Sequence, residues 1–310
     1  MNKFMKKLRY GVIGTGGIGG FYGGMLAHSG QEVHFLFHSD YDYVREHGLR
    51  VDSVFGDFHL ENVHAYRRTK DMPVCDVVPV GLKTTSNHLL KTLLPPLLGK
   101  NTTVILIQNG LGNEARLAVD FPELSIAGGL GFICSGKFGP GHIVHSEHGK
   151  ITIGSFQGDN QKVLEQVCAD FEAARVPSEL SEDLMTSRWK KLVWNVPYNG
   201  LTVVMNALTS ELMSNPATYQ LCNDLMLEVI GAANACGIPI GETFAKVMLE
   251  YTLDMKPYAP SMKLDFDFKR PLEIDAIYTA PLKAAEKVGF DMPKVRMLEQ
   301  QLRLIQSRYL

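Results

Sequence analysis

The stretch Tyr10-Gly11-Val12-Ile13-Gly14-Thr15-Gly16-Gly17-Ile18-Gly19 decides the fold of the first half of the chain. Its apolar start predicts a buried β-strand, and the segment that follows, through Ala27, predicts a helix. Glycines at the first, third and sixth positions of residues 14–19 predict a tight turn that lets a pyrophosphate approach the backbone. The helix N-terminus would offer its N–H groups to the phosphates. We therefore predict a dinucleotide site here, and the alternative is a purely structural turn.

The composition is that of an ordinary globular protein. The 310 residues are 45% hydrophobic and 21% charged, and 31 Lys and Arg nearly balance 33 Asp and Glu. A net charge of -2 gives the surface no strong attraction for phosphate backbones or anionic lipids, so we expect neither nucleic acid nor a membrane as a partner. At roughly 100–200 residues per domain, the length predicts two domains.

The sequence predicts neither a signal peptide nor a membrane span. The basic residues Lys3, Lys6, Lys7 and Arg9 resemble the start of a signal peptide, but the glycines of the turn interrupt the apolar stretch that should follow. No apolar run approaches the ~20 residues of a transmembrane helix. The five cysteines form no Cys-x-x-Cys pair, which is typical of reduced thiols in a cytoplasmic protein.

Two hydrophobic patterns divide the chain. In the first half, short β-rich runs alternate with helical segments, which predicts a parallel sheet with helices on both faces, and Gly136–Gly154 predicts a hairpin that closes this domain. From about Leu180 the apolar residues recur at helical spacing. We predict an α/β fold, with a Rossmann-type doubly wound sheet over residues 1–180 and an all-α domain over residues 181–310. The predicted strands are Tyr10–Ile13, Glu32–Phe37, Val74–Val80 and Thr103–Ile107, and the predicted helices are Glu182–Val196, Glu211–Cys236, Gly241–Leu253 and Leu272–Val288.

Polar side chains follow three of the predicted strands, at the edge where open α/β sheets bind ligands. His38 stands after the second strand, where an Asp or Glu would hold the ribose 2′-hydroxyl of NAD. A histidine favours the 2′-phosphate of NADP, although Asp40 could still hold the ribose. Lys83 and Asn109 follow the next two strands, so we expect an ammonium and an amide at the same edge. A solvated lysine and an Asn-Gly turn are the alternatives for these two residues.

The second half carries one lysine and two asparagines at intervals of four residues. Lys191, Asn195 and Asn199 share one helix face, and because polar groups are costly in a dry core, we expect this face to line a cleft for a polar ligand. Pro197 should kink the helix between the two asparagines. Further on, Pro271 is predicted to open a new helix with Glu273 in its first turn, where the helix dipole alone would favour an acid. Only partnership with Lys191 would make Glu273 catalytic.

Two further clusters predict no site of their own. His142, His145 and His148 are spaced by three, and in a strand neighbours at that spacing point to opposite faces, so we predict no metal site. The basic run at residues 67–70, which contains Arg67, Arg68 and Lys70, is interpreted as solvated surface rather than a nucleic-acid patch.

In their order along the chain, these motifs resemble those of the ketopantoate reductase family, and the likeness covers nearly the whole chain. The resemblance implies an NADP-binding Rossmann domain and a helical domain similar to the C-terminal domain of 6-phosphogluconate dehydrogenase. It also implies NADPH-dependent reduction of 2-dehydropantoate (ketopantoate) to pantoate, a step of pantothenate biosynthesis. The motifs are the glycine turn, Lys83, Gln108-Asn109-Gly110, Lys191 with Asn195 and Asn199, and Ser261-Met262 followed by Arg270-Pro271-Leu272-Glu273-Ile274-Asp275.

The resemblance further implies roles for single residues. Lys191 matches the family's catalytic lysine, and Glu273 matches the glutamate that acts beside it and contacts the cofactor. Asn109 matches an asparagine that lies between cofactor and substrate. The other substrate-binding matches are Asn195, Asn199 and Ser261. The other cofactor-binding matches are Gly14, Thr15, Gly16, Gly17, Ile18, Gly19, His38, Lys83 and Cys134.

Four departures from the family pattern leave alternatives open, and one of them is Pro197 inside the helix that carries the substrate-binding asparagines. Tyr258 and Thr209 stand where some members have asparagine, and His38 stands where characterised members often have arginine. A paralogous NAD(P)H-dependent reductase of another branched 2-oxo acid is therefore the alternative function. A non-catalytic NADP-binding regulator is more distant, because a regulator needs no proton donor. The expected partner is a small 2-oxo acid, and the apolar helices permit a monomer or a homodimer.

Overall fold

The computed structural model describes residues 7–310, so Lys3 and Lys6 of the basic N-terminal run lie outside the described residues. The chain forms two compact units. One comprises the residues up to Gln108 together with Asn113–Leu184, and the other comprises Asn109–Gly112 together with Met185–Leu310. The short loop at residues 109–112 thus belongs to the second unit.

The first unit is built on one sheet. Its strands are β1 Arg9–Ile13, β2 Glu32–Leu36, β3 Leu49–Ser53, β4 Phe58–Leu60, β5 His64–Tyr66, β6 Cys75–Val80, β7 Leu98–Ile107, β8 Ser125–Gly139, β9 His142–Gln157 and β10 Ser178–Leu180. Within residues 7–310 they form a ten-stranded sheet in the order β4-β3-β9-β8-β7-β6-β1-β2-β5, with β10 beside β9. Strands β8, β7, β6, β1, β2 and β5 pair in parallel, so their carboxyl ends share one edge.

Both faces of this sheet are covered. The neighbouring residues Val77 and Val78 point to opposite faces of β6, yet both are fully buried, each in a different hydrophobic cluster. Burial on both faces is the hallmark of a doubly wound sheet, so the predicted fold class is confirmed. The helices of this unit are α1 Gly17–His28, α2 Tyr41–His47, α3 Leu90–Leu93, α4 Asn113–Asp120 and α5 Gln161–Ala173.

The predicted hairpin is present and longer than the glycine-rich segment suggested. Strands β8 and β9 pair antiparallel from Ile126 opposite Gln157 to Gly139 opposite His142. The turn between them contains Gly141 with a positive φ of 60°, a conformation that glycine adopts at little cost. Strand β9 also pairs in parallel with β3, which extends the sheet beyond the hairpin.

The second unit is helical. Its helices are α6 Leu184–Val204, α7 Thr209–Ser214, α8 Pro216–Ala235, α9 Thr243–Asp254, α10 Ser261–Asp267, a π-helical segment Asp275–Thr279, α11 Ala280–Lys287 and α12 Pro293–Gln306. Helix α6 continues through Pro197 to Val204, well beyond its predicted end. Trp189, Val193 and Val196 of α6 pack in the core of this unit.

The single helix predicted over residues 211–236 is wrong, because two helices occupy this segment. Asn215 separates α7 from α8, and its side chain accepts a hydrogen bond from the Ala217 N–H at 2.9 Å. An asparagine cap followed by Pro216 at the first helical position is a strong start signal, so a new helix begins there. No helix among the described residues has the length and apolar character needed to cross a bilayer. The five cysteines are all unpaired.

Candidate active site

The glycine turn has the shape that a pyrophosphate requires. Gly14 has a φ of +88°, and a Cβ there would lie 2.5 Å from the Leu82 nitrogen. A Cβ on Gly19 would lie 2.2 Å from the Gly14 carbonyl oxygen, so helix α1 can approach the turn only because this residue is glycine. A Cβ on Gly16 would meet no atom within 4 Å. The space above Gly16, at the N-terminus of α1, is therefore open to a ligand.

Neighbouring residues fix this turn within the first unit. The Thr15 hydroxyl donates a hydrogen bond to the Leu36 carbonyl at 3.2 Å, which ties the turn to the end of β2. Gly17 lies against β8, where the Ser135 hydroxyl donates to the Gly17 carbonyl at 3.0 Å. Ile18 is partly buried against the core beneath α1. The cofactor-binding residues predicted at 14–19 are thus brought together as one rigid turn.

The end of β2 offers no acid to a ribose hydroxyl. His38 is exposed there, but the Asp40 carboxylate is buried and accepts hydrogen bonds from the Lys137 ammonium at 2.9 and 3.0 Å and from the Gly141 N–H at 3.1 Å. Although burial raises it, the pKa of Asp40 stays below its usual value because of these bonds and one from Ser39. Asp40 therefore stabilises the hairpin turn and is not free to hold a ribose.

The polar residues predicted after β6 and β7 have different surroundings. Lys83 is half-buried, three residues after the end of β6 and directly before a 3₁₀ turn. Gln108, at the end of β7, is buried and donates to the Leu82 carbonyl at 2.8 Å and to Asn87 at 2.6 Å, so its amide supports the loop that carries Lys83. Asn109 belongs to the second unit. Gln108 and Asn109, which are adjacent in the sequence, thus belong to different units.

The loop that carries Asn109 is held on the π-helical segment of the second unit. Leu111 donates its N–H to the Ala276 carbonyl at 2.9 Å. Gly110 has a φ of +86°, and a Cβ there would lie 2.3 Å from the same carbonyl oxygen. Only glycine fits this approach. The fold therefore fixes Asn109 relative to the π-helical segment that begins two residues after Glu273.

Cys134 lies on β8 beside the end of the hairpin. Its thiol is buried, and its sulfur, a Glu147 carboxylate oxygen and a His148 ring nitrogen lie within 4.8 Å of one another. The other two histidines of the predicted hairpin bind different partners: His142 contacts Asp52 at 2.8 Å, and His145 contacts Ser53 at 2.8 Å. His142 and His145 thus bind partners outside the Cys134 cluster, and Cys134 as a cofactor contact stays a prediction.

Lys191 lies on α6 with the electrostatic character of a proton donor. The residue is half-buried, and its pKa is lowered to about 7. Burial is the main cause, the positive charge of Arg188 lowers the pKa further, and the negative charge of Glu273 raises it. A lysine with a pKa near neutrality can both hold and release a proton at working pH.

The two asparagines on the same helix have different environments. Asn195 is 5% exposed, and its amide nitrogen has no hydrogen-bond acceptor among residues 7–310. Asn199 is 1% exposed, and its amide oxygen accepts the Met262 N–H at 3.1 Å. Asn199 thus fixes the start of α10, whose first residue is Ser261. A buried amide N–H without an acceptor is costly in free energy. Asn195 is therefore the residue of this face that indicates a binding site for a polar ligand.

Glu273 is 4% exposed and directly precedes a helical segment. The predicted helix is present, but its predicted start at Pro271 is wrong, because the helical conformation begins at Ile274. Leu272 donates its N–H to the Gln306 side chain at 2.7 Å, which ties the segment before Ile274 to α12. The Glu273 carbonyl accepts the Ile277 N–H at 3.1 Å, so Glu273 precedes the first helical residue. Its side chain still acts on Lys191 electrostatically.

The two departures Tyr258 and Thr209 are bonded to each other. The Thr209 hydroxyl donates to the Tyr258 carbonyl at 3.2 Å and the Thr209 N–H donates to the same oxygen at 3.1 Å. The Tyr258 N–H in turn lies 3.2 Å from the Thr209 hydroxyl oxygen. Thr209 is buried, so its hydroxyl joins α7 to the segment before α10.

The sequence interpretation missed Arg188. This arginine is 2% exposed, lies three residues before Lys191 on the same helix and lowers the pKa of Lys191 through its charge. The spacing of three residues placed both cations on one helix face, and that signal was available in the sequence.

Comparison with known proteins now identifies the family. A model described as ketopantoate reductase PanE/ApbA matches residues 10–158, and the model of its C-terminal part matches residues 183–306. A 2-dehydropantoate 2-reductase from Nostoc sp. is 46% identical over 309 residues, which cover 98% of this chain and 97% of that protein. The chain belongs to the ketopantoate reductase family.

Solved structures of family members have the same fold. A 2-dehydropantoate 2-reductase from Geobacter metallireducens is 39% identical with a TM-score of 0.93, covering 96% of this chain and 99% of that one. Another from Methylococcus capsulatus is 29% identical with a TM-score of 0.89, covering 97% and 98%. The ketopantoate reductase resemblance drawn from the motifs is thus confirmed, as is the fold class of a sheet domain followed by a helical one.

Proposed function

We propose that this protein is an NADPH-dependent 2-dehydropantoate 2-reductase that converts ketopantoate to pantoate. The observation that carries the proposal is Lys191, whose pKa of about 7 suits a general acid at neutral pH. The 46% identity with the 2-dehydropantoate 2-reductase from Nostoc sp. over nearly the whole chain supports the same reaction. The five unpaired cysteines agree with a reaction in the reducing cytoplasm.

The glycine turn is the part of the first unit that fits a dinucleotide. The open space at Gly16 and the N-terminus of α1 suit a pyrophosphate, and no acidic side chain stands in the first turn of that helix to repel it. Thr15, His38 and Lys83 are the polar residues proposed to hold the rest of the cofactor, and Cys134 and Glu273 are further proposed contacts. When bound, NADPH would supply a hydride for the 2-oxo carbon of the substrate.

The residues of the second unit supply the remaining chemistry. As negative charge develops on the substrate carbonyl oxygen, Lys191 donates a proton from Nζ to that oxygen. Glu273 raises the pKa of Lys191 and so favours the protonated amine that this step consumes. Arg188 works in the opposite direction and eases release of the proton. Burial, which is the main cause of the lowered pKa, acts together with these two charges to place the pKa of Lys191 near neutrality.

Substrate binding is assigned to the polar residues around this lysine. The buried Asn195 amide nitrogen donates a hydrogen bond to an oxygen of the substrate. The Asn199 amide oxygen accepts the Met262 N–H, and this bond positions the neighbouring Ser261 hydroxyl as a second hydrogen-bond donor to the substrate. Asn109, fixed by its loop on Ala276, is the proposed contact shared by substrate and cofactor. The proposed substrate is therefore a small, polar 2-oxo acid.

The test is to identify the product. Purified protein is incubated with NADPH and ketopantoate, and pantoate is measured by mass spectrometry against the NADPH consumed. We expect one pantoate for each NADPH. Turnover of 2-oxoisovalerate, pyruvate or oxaloacetate in place of ketopantoate would make the protein a paralogous reductase, and cofactor binding without any turnover would make it a regulator.

A further inference from the structure

A cationic cleft lies at the carboxyl ends of β2 and β5, within the first unit. It has a volume of about 540 Å³, and His38, Arg67 and Arg68 are among the residues that line it. Strands β2 and β5 pair in parallel with Leu36 opposite Tyr66, so the residues that follow each strand come side by side. The size suits one end of a dinucleotide rather than the whole molecule.

The cleft adjoins the glycine turn. Leu36, the last residue of β2, accepts the hydrogen bond from Thr15 in that turn. The next residue, Phe37, lines the cleft and donates its N–H to the Tyr66 carbonyl at 2.8 Å. A dinucleotide whose pyrophosphate lies on the turn therefore extends toward the cleft with its adenosine ribose.

The two arginines keep hydrogen-bond donors available. Within residues 7–310, Arg67 uses only its Nη2 nitrogen, which binds Asp42, and its guanidinium carbon lies 4.7 Å from the centre of the Tyr41 ring. Arg68 donates to Asp71 at 2.8 and 3.3 Å through two of its three nitrogens. Both pairs are largely exposed, with 44–80% of each side chain accessible, and exposed pairs of this kind contribute little to stability. Exchange of a carboxylate for a ligand phosphate therefore costs little.

The charge balance of the cleft favours an anion. Asp71 is the acidic residue of its lining, and Arg68 already neutralises it. Asp40, the acid nearest to His38 in sequence, is held by Lys137. A ribose 2′-hydroxyl thus finds no free carboxylate among these residues, while a 2′-phosphate finds two guanidinium groups. Guanidinium forks bind phosphate oxygens in pairs and with charge assistance.

We propose that Arg67 and Arg68 bind the 2′-phosphate of NADPH and set the preference for NADPH over NADH. The proposal rests on the proposed function, because it assumes that the glycine turn holds the pyrophosphate. It replaces the interpretation of the run at residues 67–70 as solvated surface. Cofactor preference thus depends on the residues after β5 as well as on His38 after β2.

The first experiment measures KM for both cofactors in Arg67→Gln, Arg68→Gln and the double variant. We expect KM for NADPH to rise about tenfold in each single variant and about 100-fold in the double variant, because each lost guanidinium removes charge-assisted bonds. KM for NADH and kcat should change less than about twofold. The matched control is Arg50→Gln, which removes an exposed arginine paired with Asp52 at 2.7 Å elsewhere in the first unit and should leave both KM values unchanged.

A gain-of-affinity variant tests the same charges in the opposite direction. Asp71→Asn removes the carboxylate that competes for Arg68, so KM for NADPH should fall about two- to fivefold while KM for NADH stays constant. An unchanged or raised KM for NADPH in this variant would overturn the role of Arg68.

Calorimetric titration separates this inference from the proposed function. Wild-type protein should bind 2′,5′-ADP at least tenfold more tightly than ADP, and the double variant should lose this difference while its melting temperature stays within a few degrees of wild type. If wild type binds no dinucleotide at all, the proposed function fails. If wild type prefers NADPH and the double variant keeps that preference, the inference about Arg67 and Arg68 is wrong.

Discussion

The amide oxygen of Asn199 accepts a hydrogen bond from the Met262 N–H at 3.1 Å, which joins the middle of α6 to the start of α10. Asn195, one helical turn earlier on α6, has a buried amide nitrogen with no acceptor among the described residues. The two asparagines lie on one helix face and have chemically identical side chains, but their hydrogen-bond partners differ. We therefore assign them different roles. Asn199 joins α6 to α10, and Asn195 is the proposed substrate contact.

Leucine substitutions distinguish these two roles. Asn199→Leu leaves the buried Met262 N–H unsatisfied and should lower the free energy of unfolding by about 1–3 kcal/mol. Asn195→Leu removes an amide that has no partner, so stability should stay within about 0.5 kcal/mol or rise, while KM for ketopantoate rises at least tenfold. Denaturant unfolding and steady-state kinetics measure both effects. Equal loss of stability in the two variants would contradict the assignment.

Lys191 and its neighbour Lys190 provide a matched pair for the proton donor. Lys191→Ala should lower kcat by about 100- to 10,000-fold, the usual contribution of a general acid. Lys190 lies on the exposed side of α6, with its ammonium 5.9 Å from the centre of the Phe244 ring, and Lys190→Ala should change kcat less than about twofold. Turnover of Lys191→Ala within a few-fold of wild type would remove Lys191 from the mechanism.

The pH dependence of ketopantoate reduction should report the ionisation of Lys191. Because the protonated amine is the reactive form, kcat/KM should fall as pH rises through about 7. Arg188→Met removes a charge that lowers the pKa of Lys191, so the descending limb should move to higher pH, and Glu273→Gln should move it to lower pH.

The conservative variant Arg188→Lys keeps the charge and serves as the control for that experiment. Arg188→Lys should keep the descending limb of the kcat/KM profile at the same pH as in the wild-type protein. A limb that stays in place in both Arg188→Met and Glu273→Gln would show that another group titrates.

The lowered pKa of Lys191 also has a consequence for stability. The folded chain binds the Lys191 proton more weakly than the unfolded chain, because folding lowers the pKa of this lysine from 10.5 to about 7. The lysine therefore destabilises the fold most strongly below about pH 7, where it is charged in both states. This destabilisation declines as the pH rises toward 10.5. Lys191→Met should therefore melt at a higher temperature than wild type at pH 7, and the difference should shrink as pH approaches 10. A less stable variant, or a difference that grows with pH, would contradict the desolvation of Lys191.

Local patterns predicted much of this structure. The glycine turn between β1 and α1, the alternation of strands and helices, and the hairpin at Gly141 all follow from signals within a few residues of each other. The common face of Lys191, Asn195 and Asn199 follows in the same way from the helical period. Asn215 followed by Pro216 also carried a local signal, and there the apolar period was given too much weight.

The remaining features depend on contacts between distant segments. The segment before Glu273 is tied to α12 by the bond from Leu272 to Gln306, which no local pattern indicates. Arg67 and Arg68 line a cleft with His38 only because β5 pairs with β2. The role of Asp40 likewise depends on Lys137 of β8, far away in the sequence. The sequence alone therefore indicated ordinary surface for Arg67 and Arg68 and allowed a ribose contact for Asp40, because the partners of these residues are nonlocal.

The most direct test of the central claim is kcat/KM with NADPH for ketopantoate relative to 2-oxoisovalerate, which lacks the terminal hydroxymethyl group. The proposed function predicts at least a 100-fold preference for ketopantoate, because a site built to hydrogen-bond the substrate hydroxyl leaves its buried polar groups unpaired when a substrate without that hydroxyl binds. Equal values, or a preference for 2-oxoisovalerate, would contradict the assignment as a 2-dehydropantoate 2-reductase.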